Sequence, residues 1–240
     1  MLKTKEPYRH ELKYIISTAE KESLKLRLGP VLSLDAHAEA GGYMIRSLYF
    51  DDYFDSAYVE KDMGILARKK YRIRLYNCSD RGIKLERKRK VGSYIYKEAA
   101  PLTRRETELL LEGEYGFLLE SPHSLCREFY VECVCHVMRP RVIVDYEREP
   151  YVMDAGTVRL TFDSDVRAAV LSRNLFDASL PSLPVLEPGT CVMEVKYTEF
   201  LPQLVKNILP PRATERTALS KYGLCCEKTL YSHGWGYWQE

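Results

Sequence analysis

Charged side chains recur at a spacing of two in several segments of this 240-residue sequence. These are Glu11 and Lys13; Arg72 and Arg74; Lys84, Glu86, Lys88 and Lys90; Arg139 and Arg141; Arg159, Thr161, Asp163 and Asp165; and Glu194 and Lys196. Side chains two apart on a β-strand lie on the same face, so each segment would present one charged face. Most intervening residues are apolar, with Arg87 and Arg89 beside Leu85 as the exception. Each strand would therefore offer one face to a charged ligand and the other to a core.

Two interpretations of the charged faces are open. For a single strand, the simpler one is the solvated face of a half-exposed antiparallel sheet. Six such strands weaken it, because solvated faces usually mix Ser, Thr, Asn and Gln with Lys, whereas these faces repeat Glu-x-Lys and Arg-x-Arg. The alternative is a barrel whose apolar outside is covered by helices and whose charged inside holds side chains or one small ligand.

The residue types on these faces indicate a polyanionic ligand. Many Lys and Arg side chains in one lumen would repel one another without a counter-anion. Arginine forks match phosphate oxygens in a bidentate manner, so a linear phosphate chain is expected. The carboxylates would act as hard oxygen ligands for a divalent cation that bridges them to phosphate, and they are Glu11, Glu86, Asp163, Asp165 and Glu194. Plain Glu–Lys ion pairs remain an alternative for them.

The elements that position these residues are mostly strands. Segments rich in Tyr, Val, Ile and Arg predict strands at residues 8–16, 43–50, 70–76, 83–90, 139–146, 158–162 and 191–197, with residues 93–97 as a continuation of the fourth. Capping boxes at Ser17 and Thr103 predict two helices, a third runs from Ser121 toward Met138, and residues 200–209 form a fourth. The sequence thus predicts an antiparallel α+β protein with one domain over residues 1–240.

The composition is that of a globular protein. Lys and Arg number 36 and Asp and Glu 34, a formal net charge of +2, which argues against a strongly basic nucleic-acid binder. No run of 18 apolar residues and no signal peptide is present, and seven cysteines, an odd number, are typical of reduced thiols in the cytoplasm. A zinc site at Cys133-x-Cys135-His136 with Cys126 is a minor alternative, because a second cysteine pair is missing. No P-loop sequence GxxxxGK[ST] occurs.

Taken in order, the motifs resemble a known family. Arg9-His10-Glu11-Leu12-Lys13-Tyr14 is similar to the opening strand of the triphosphate tunnel metalloenzymes. One branch of them, the polyphosphate polymerase domain of the vacuolar transporter chaperone (VTC) type, has later motifs that resemble Tyr71-Arg72-Ile73-Arg74-Leu75-Tyr76, Lys84-Leu85-Glu86-Arg87-Lys88, Arg141 with Tyr146 and Arg148, Arg159-Leu160-Thr161-Phe162-Asp163, Met193-Glu194-Val195-Lys196-Tyr197 and Leu219-Ser220-Lys221-Tyr222. The resemblance covers nearly the whole chain. It implies an eight-stranded antiparallel β-barrel, the triphosphate tunnel, with accessory helices outside.

The resemblance also implies an activity and a set of site residues. The activity is metal-dependent transfer of the ATP γ-phosphate onto a growing polyphosphate chain, with Mn²⁺ or Mg²⁺ as cofactor. Phosphate binding and transfer would fall to Lys13, Arg72, Arg74, Lys88, Arg141, Arg159, Lys196 and Lys221. Further contacts to ATP would come from Lys84, Lys97, Arg148, Arg216 and Ser220. Glu194 would hold the metal, while Glu11 and Glu86 would support it or orient neighbouring lysines.

One position departs from the family pattern. Ala218 stands where family members carry a basic residue, three positions before the lysine matched by Lys221, and we expect Arg216 to reach the same phosphate instead. The motifs are not accompanied by a phosphate-sensor domain or a membrane segment. We therefore expect a bare catalytic domain in the cytoplasm that cannot translocate its product by itself, and whether a membrane partner protein receives the product stays open.

Two other functions remain open. If water replaced the polyphosphate chain as the attacking group, the same site would be an inorganic triphosphatase, and the motifs do not decide between the two. The second is a non-catalytic module that binds polyphosphate or RNA, in which the basic residues from Arg68 to Arg74, interleaved with tyrosine, would form the binding face. Glu-x-Lys repeats disfavour RNA, because acidic groups lower its affinity. Asp51, Asp52 and Asp55 are expected to cap a turn rather than to bind a cation.

Overall fold

The computed structural model describes residues 10–38, 41–92, 94–209 and 219–230. Within them lie ten strands: β1 (His10–Ser17), β2 (Ser33–Leu34), β3 (Tyr43–Asp51), β4 (Ala67–Tyr76), β5 (Lys84–Val91), β6 (Tyr94–Pro101), β7 (Arg139–Met153), β8 (Val158–Ala169), β9 (Ser182–Pro184) and β10 (Thr190–Tyr197). Seven helices accompany them: α1 (Thr18–Leu28), α2 (Ser56–Asp62), α3 (Arg104–Glu112), α4 (Phe117–Glu120), α5 (Ser124–Cys135), α6 (Gln203–Ile208) and α7 (Lys221–Leu230). The predicted α+β class is confirmed.

The strands form a mostly antiparallel sheet in the order β1-β10-β8-β7-β3-β4-β5-β6. Seven of the eight strands of this order are those that the sequence predicts, whereas a separate β6 and the two short strands, β2 and β9, were not expected. Among the described strands, hydrogen bonding begins at β1 and ends at β6, so hydrogen bonds do not close the sheet there.

The prediction that residues 93–97 continue the preceding strand was wrong. Residues 94–101 do not continue β5; they form β6, which pairs antiparallel with β5, with Val91 opposite Tyr94. Gly92 lies between the two strands with a φ of +60°, in the left-handed region that glycine occupies without a steric penalty. The chain therefore turns back at the point where the alternation of residue types suggested that it ran on.

The helix signals are confirmed at both capping boxes. The Ser17 hydroxyl accepts a hydrogen bond from the Glu20 amide at 3.1 Å, and the Ser17 amide donates to the Glu20 carboxylate at 2.8 Å. Thr103 and Glu106 make the same reciprocal pair at the start of α3. The fourth predicted helix is shorter than expected, since α6 begins only at Gln203, directly after Pro202.

The chain forms two compact units. Unit 1 comprises Met1–Tyr43, Glu147–Asp165 and Leu186–Leu219, and contains β1, β10, most of β8 and the C-terminal part of β7. Its core packs one face of these strands against α1 and α6, and contains Tyr14, Leu24, Leu160, Met193 and Val205. The apolar faces predicted for three of these strands are thus confirmed.

Unit 2 comprises Met44–Tyr146, Val166–Val185 and Ser220–Glu240, and contains β4, β5, β6 and most of β3. Its core lies between these strands and α3, α4 and α5, with Tyr71, Ile73, Leu85 and Phe129 almost fully buried. Arg87 shares this face because its guanidinium pairs with carboxylates at the edge of the core. No helix in the described part of the chain is long and apolar enough to cross a membrane.

Candidate active site

Unit 2 contains a group of charged residues on one face of β4, β5 and β6, which we call the arginine cluster: Arg72, Arg74, Glu86 and Lys97. Glu86 is its centre and only 2% of its side chain is exposed. Arg72 donates to Glu86 Oε2 through Nε at 2.8 Å and through Nη2 at 2.6 Å. Lys97 Nζ lies 2.7 Å from Oε1, and Arg74 Nη1 lies 3.8 Å from Oε2. One buried carboxylate therefore holds three cationic side chains in fixed positions.

Strand register explains why these residues meet. Arg72 lies directly opposite Glu86 on the neighbouring strand, and Arg74 lies opposite Lys84. Lys88, one step along β5, lies between Lys97 on one side and Lys70 on the other. The spacing of two predicted that these side chains share a face, and the register places the faces of three strands next to one another.

The guanidinium groups of Arg72 and Arg74 also donate hydrogen bonds to uncharged tyrosine hydroxyls. Arg72 Nη1 donates to the Tyr49 hydroxyl at 2.8 Å, and Arg74 Nη2 donates to the Tyr146 hydroxyl at 3.2 Å. Lys221, the first residue of α7, lies with its Nζ 5.0 Å from the centre of the Tyr146 ring, a cation–π contact. Lys221 and Arg74 therefore contact the same tyrosine. Both residues are predicted to bind phosphate.

The charge in the arginine cluster is not balanced. Three cations surround one carboxylate, which leaves a net charge of +2. Burial alone would raise the pKa of Glu86, but Arg72, Arg74 and Lys97 lower this pKa to about 2. Burial also lowers the pKa of Lys97, although Glu86 opposes that effect. The carboxylate stays ionised at neutral pH, and the excess positive charge favours an anion.

Lys70 is a residue of this region that the sequence analysis placed only in a possible RNA-binding face. It lies on the same face as Arg72 and Arg74, directly opposite Lys88, and its Nζ stacks on the Tyr222 ring at 4.3 Å from the centre. Burial lowers its pKa to about 7. The signal that could have found it is present in the sequence, because Lys70 precedes Arg72 by the same spacing of two.

Unit 1 contains a second group on one face of β1, β10, β8 and β7, which we call the glutamate cluster: Glu11, Lys13, Arg148, Asp163, Glu194 and Lys196. Lys13 Nζ lies 3.1 Å from Glu11 Oε1 and 3.6 Å from Glu194 Oε1. Lys196 Nζ donates to Glu194 Oε2 at 2.8 Å. The Glu-x-Lys motifs of β1 and β10 therefore interlock, since Lys13 lies opposite Glu194 and Glu11 lies opposite Lys196.

Arg148 connects this cluster to β8. It donates to both oxygens of Asp163, through Nε at 2.6 Å and Nη2 at 2.7 Å, and its Nη2 lies 3.8 Å from Glu194 Oε2. Arg159 is on the same face of β8 opposite Lys196, but its Nη2 contacts Asp35 at 2.9 Å. Arg159 and Lys196 are therefore neighbours. Arg148 is already held in a buried bidentate pair with Asp163.

The donor chemistry of the glutamate cluster fits a divalent cation bound together with phosphate. Mg²⁺ is usually held by one or two carboxylates plus substrate oxygens, and Glu194 and Glu11 supply two carboxylates joined through Lys13. No group of three or more His, Cys, Asp or Glu side chains among the described residues is placed to hold a metal ion by itself. Glu86 fits a cation less well, because both of its oxygens already accept from Arg72 or Lys97. The same result leaves the zinc alternative at Cys133 and Cys135 without support in the described residues.

The remaining predicted residues lie in different places. Lys84 and Lys88 are exposed on β5, at the rim of the arginine cluster. The Ser220 hydroxyl accepts from the Gly223 amide at 3.3 Å, at the start of α7. Arg141 lies on β7 two residues before Ile143, a core residue, and its Nε donates to Asp55 at 2.8 Å. Its role in phosphate binding stays a prediction, and Arg216 lies outside the described residues.

The acidic turn after β3 serves as a cap through Asp51 and Asp52, as expected, but the side chain of Asp55 makes no capping hydrogen bond. Asp51 accepts hydrogen bonds from the amides of Ala57 and Tyr58, at 2.8 and 3.0 Å, and from the hydroxyl of Tyr222. Asp52 accepts from the amides of Phe54 and Ser56. These carboxylates satisfy the start of α2, and Asp51 also fastens α7 to the end of β3.

Solved structures with a similar fold share little sequence with this chain. HpAC1 from Hippeastrum, a candidate adenylyl cyclase described as having a dominant triphosphatase activity, aligns with a TM-score of 0.52 at 13% identity, over 91% of this chain and 95% of that one. A candidate adenylate cyclase from Bacillus halodurans aligns at 0.49 and 12% identity, over 88% of this chain and 91% of that one. The fold is that of the triphosphate tunnel proteins, as the sequence predicted.

The family follows from the sequence itself. The pattern of the VTC domain matches residues 8–230, and the chain therefore belongs to the VTC domain family. No curated protein matches the chain in sequence. The predicted family is confirmed over nearly the full length, including all the described residues of both clusters.

Proposed function

We propose that this chain is a metal-dependent polyphosphate polymerase that transfers the γ-phosphate of ATP onto a growing polyphosphate chain. The observation that carries the proposal is the uncompensated charge of the arginine cluster, in which three cations surround one carboxylate with a pKa near 2. Membership of the VTC domain family supports the same conclusion. A linear polyanion is the ligand that such fixed positive charge would attract.

In the proposed reaction, the nucleophile is the chain itself. An oxygen of the terminal phosphate attacks the γ-phosphorus of ATP, the bond between that phosphorus and the bridging oxygen breaks, and ADP leaves with the bonding electron pair. No side chain becomes phosphorylated. Phosphoryl transfer depends on alignment and on compensation of charge rather than on covalent help from the protein.

The chain's own residues would divide this work. Arg72 and Arg74, held by Glu86, Tyr49 and Tyr146, present rigid guanidinium groups that bind phosphate oxygens without reorganising. The other proposed phosphate-binding residues are Lys13, Lys84, Lys88, Lys97, Arg141, Arg148, Arg159, Lys196, Arg216, Ser220 and Lys221. Glu86 acts as the positioning residue for the arginines.

Mn²⁺ or Mg²⁺, when bound, supplies neutralisation of the charge on the phosphate oxygens. Glu194, with support from Glu11, would hold it. Lys13 and Lys196 orient the Glu194 carboxylate by contacting its two different oxygens, Oε1 and Oε2. Arg148 adds a third positive charge near Oε2, at 3.8 Å.

The test is a product assay of the purified chain with ATP and Mn²⁺. We expect long-chain polyphosphate on a gel and stoichiometric ADP. The Arg72→Ala variant serves as the inactive control, and the Lys69→Met variant, a lysine on the opposite face of β4, as the active one. ATP consumption without any polymer would contradict the proposal.

An inorganic triphosphatase is the second candidate. The observation that favours it is the similarity in fold to HpAC1 of Hippeastrum, a protein described as having a dominant triphosphatase activity. In that case water would take the place of the terminal phosphate of the chain. Release of free phosphate from tripolyphosphate, with no polymer formed from ATP, would favour this candidate over the polymerase.

A further inference from the structure

Thr161 has a hydroxyl group that the protein itself does not use. The residue is 1% exposed, and its Oγ1 has no hydrogen-bond partner among the described residues. Buried hydroxyl groups are normally hydrogen-bonded, because a buried polar group without a partner loses the hydrogen bonds that water gave it. Such an exception therefore calls for an explanation, and an absent ligand is one such explanation.

The position of Thr161 points to the glutamate cluster. On β8 it lies directly opposite Glu194 of β10, and Glu194 in turn lies opposite Lys13 of β1. Residues directly opposite on one face of an antiparallel pair have Cβ atoms about 4.5–5.5 Å apart. The hydroxyl is therefore adjacent to the carboxylate that the proposed function assigns to the metal, on the face away from Leu160 and Phe162 of the core.

Strand formation does not explain the choice of threonine. Valine has nearly the same shape, is equally branched at Cβ and favours strands for the same reasons. At a buried position without a partner, valine would be neutral or more stable, since it has no hydroxyl to desolvate. The hydroxyl therefore adds nothing to the stability of the fold, and a role in binding would account for it.

The hydroxyl of Thr161 would also supply an oxygen ligand that the proposed metal site lacks. Glu194 and Glu11 both contact Lys13, and the described residues contain no group of three or more His, Cys, Asp or Glu side chains that could hold a metal ion. A phosphate oxygen next to Glu194 would be repelled by the carboxylate. A divalent cation, by contrast, is attracted by it and accepts neutral oxygens, including coordinated water, to complete its shell.

We propose that Thr161 is an additional residue of the cation site, whose hydroxyl oxygen lies in or next to the coordination shell of the divalent ion held by Glu194. The inference rests on the proposed function only in requiring that Glu194 binds a cation. It holds equally for a polymerase and for a triphosphatase. Its partners in the site are Glu194, Glu11 and the lysine between them.

The experiment is a titration of Mn²⁺ into the full chain, followed by the electron paramagnetic resonance signal of the free ion, without ATP and then with tripolyphosphate. We expect Thr161→Val to weaken Mn²⁺ binding about tenfold, in line with losses seen when groups around a metal are removed. Thr161→Ser, which keeps the hydroxyl, should bind Mn²⁺ like the unaltered chain. The melting temperature of metal-free Thr161→Val should be equal or higher.

The variants separate this inference from the proposed function. If Glu194→Gln loses Mn²⁺ binding and Thr161→Val does not, the inference about Thr161 is overturned while the metal role of Glu194 stands. If the unaltered chain does not bind Mn²⁺ even with tripolyphosphate, the metal part of the proposed function fails and takes the inference with it. A Thr161→Val variant with weaker Mn²⁺ binding and an unchanged fold would support the inference in either enzyme class.

Discussion

The arginine cluster of unit 2 and the glutamate cluster of unit 1 are built in the same way but differ in net charge. In each, a nearly buried glutamate lies directly opposite a basic residue of the neighbouring antiparallel strand: Glu86 opposite Arg72, and Glu194 opposite Lys13. Around Glu86 there are three cations, and no second carboxylate pairs with them among the residues that the structure describes. Around Glu194, three cations meet three carboxylates, because Glu11 shares Lys13 and Asp163 holds Arg148.

This difference shows that a charged strand face is not by itself an anion-binding site. The arginine cluster has a net charge of +2 and needs an anion to complete it. The glutamate cluster is neutral, so an anion gains little from it unless a cation is present as well. The arginine cluster therefore suits phosphate binding by its own charge, whereas the glutamate cluster suits phosphate binding only together with a cation.

The largest effect is expected when a guanidinium group is removed from the arginine cluster. We expect Arg72→Ala to lower kcat/KM for ATP by about 10³–10⁵-fold, since an arginine at a transferred phosphoryl group has effects of that size. Arg72→Lys should recover only a small part, because an ammonium group cannot make the fork to two oxygens. Steady-state kinetics with ADP detection measures both, and wild-type activity in the Ala variant would show that Arg72 is structural.

The corresponding change in the glutamate cluster is Glu194→Gln. We expect turnover to fall about 10²–10³-fold, because a bound metal ion supplies several kcal/mol of transition-state stabilisation. Activity should respond to Mn²⁺ concentration far more weakly in this variant. Tripolyphosphate binding in the presence of a chelator should stay close to that of the unaltered chain. A large loss of chelator-resistant binding would contradict the metal role, because the Glu194 carboxylate would then be needed for tripolyphosphate binding without a metal.

The contribution of Glu86 to stability should depend on pH. Because cations lower the folded-state pKa of Glu86 to about 2, below the ordinary value of 4.5, its contribution to stability is present above pH 4.5 and is lost as the pH falls toward 2. The loss amounts to about 3 kcal/mol. Urea unfolding between pH 6 and pH 3 should show the start of this decline in the unaltered chain. Glu86→Gln should be less stable at neutral pH and should lack that part of the decline, and equal slopes would contradict the assignment.

The smallest expected effect concerns Lys70. Burial lowers the folded pKa of Lys70 to about 7, with Arg68 nearby acting in the same direction and Asp51 against it. Only the protonated form attracts phosphate, so the Kd for tripolyphosphate should rise as the pH increases from 6 to 8, by about tenfold.

The control for this prediction is the Lys70→Met variant, measured by calorimetry under the same conditions. The protonation of tripolyphosphate itself affects both proteins equally, so the difference between the two slopes reports Lys70. Lys69→Met, one residue away and paired with Glu132 on the opposite face, should keep the slope of the unaltered chain. Identical slopes in all three proteins would remove Lys70 from the binding face.

Much of the fold follows from local sequence. The seven strand segments and the two capping boxes were identified correctly, because alternation and capping are set by residues within a few positions of one another. The turn at Gly92 was missed because the residue types on both sides of it continue the same alternation. The chain reverses at Gly92, which has a positive φ. Arg87 looked out of place on an apolar face, and the reason is distant: Glu128 of α5 and Glu98 of β6 neutralise it there.

The sequence alone determined which side chains share a face, because the period of two is a property of the extended backbone and needs no partner. The tertiary structure decided what stands opposite each of them. Register joins Lys13 to Glu194 and brings Arg74 to Tyr146, residues far apart in the chain, and no local pattern encodes such a pairing. Charge balance depends on those neighbours, so only the structure distinguishes the face that needs an anion from the face that is already neutral. The buried hydroxyl of Thr161 belongs to the same category, since its lack of a partner is a fact of packing.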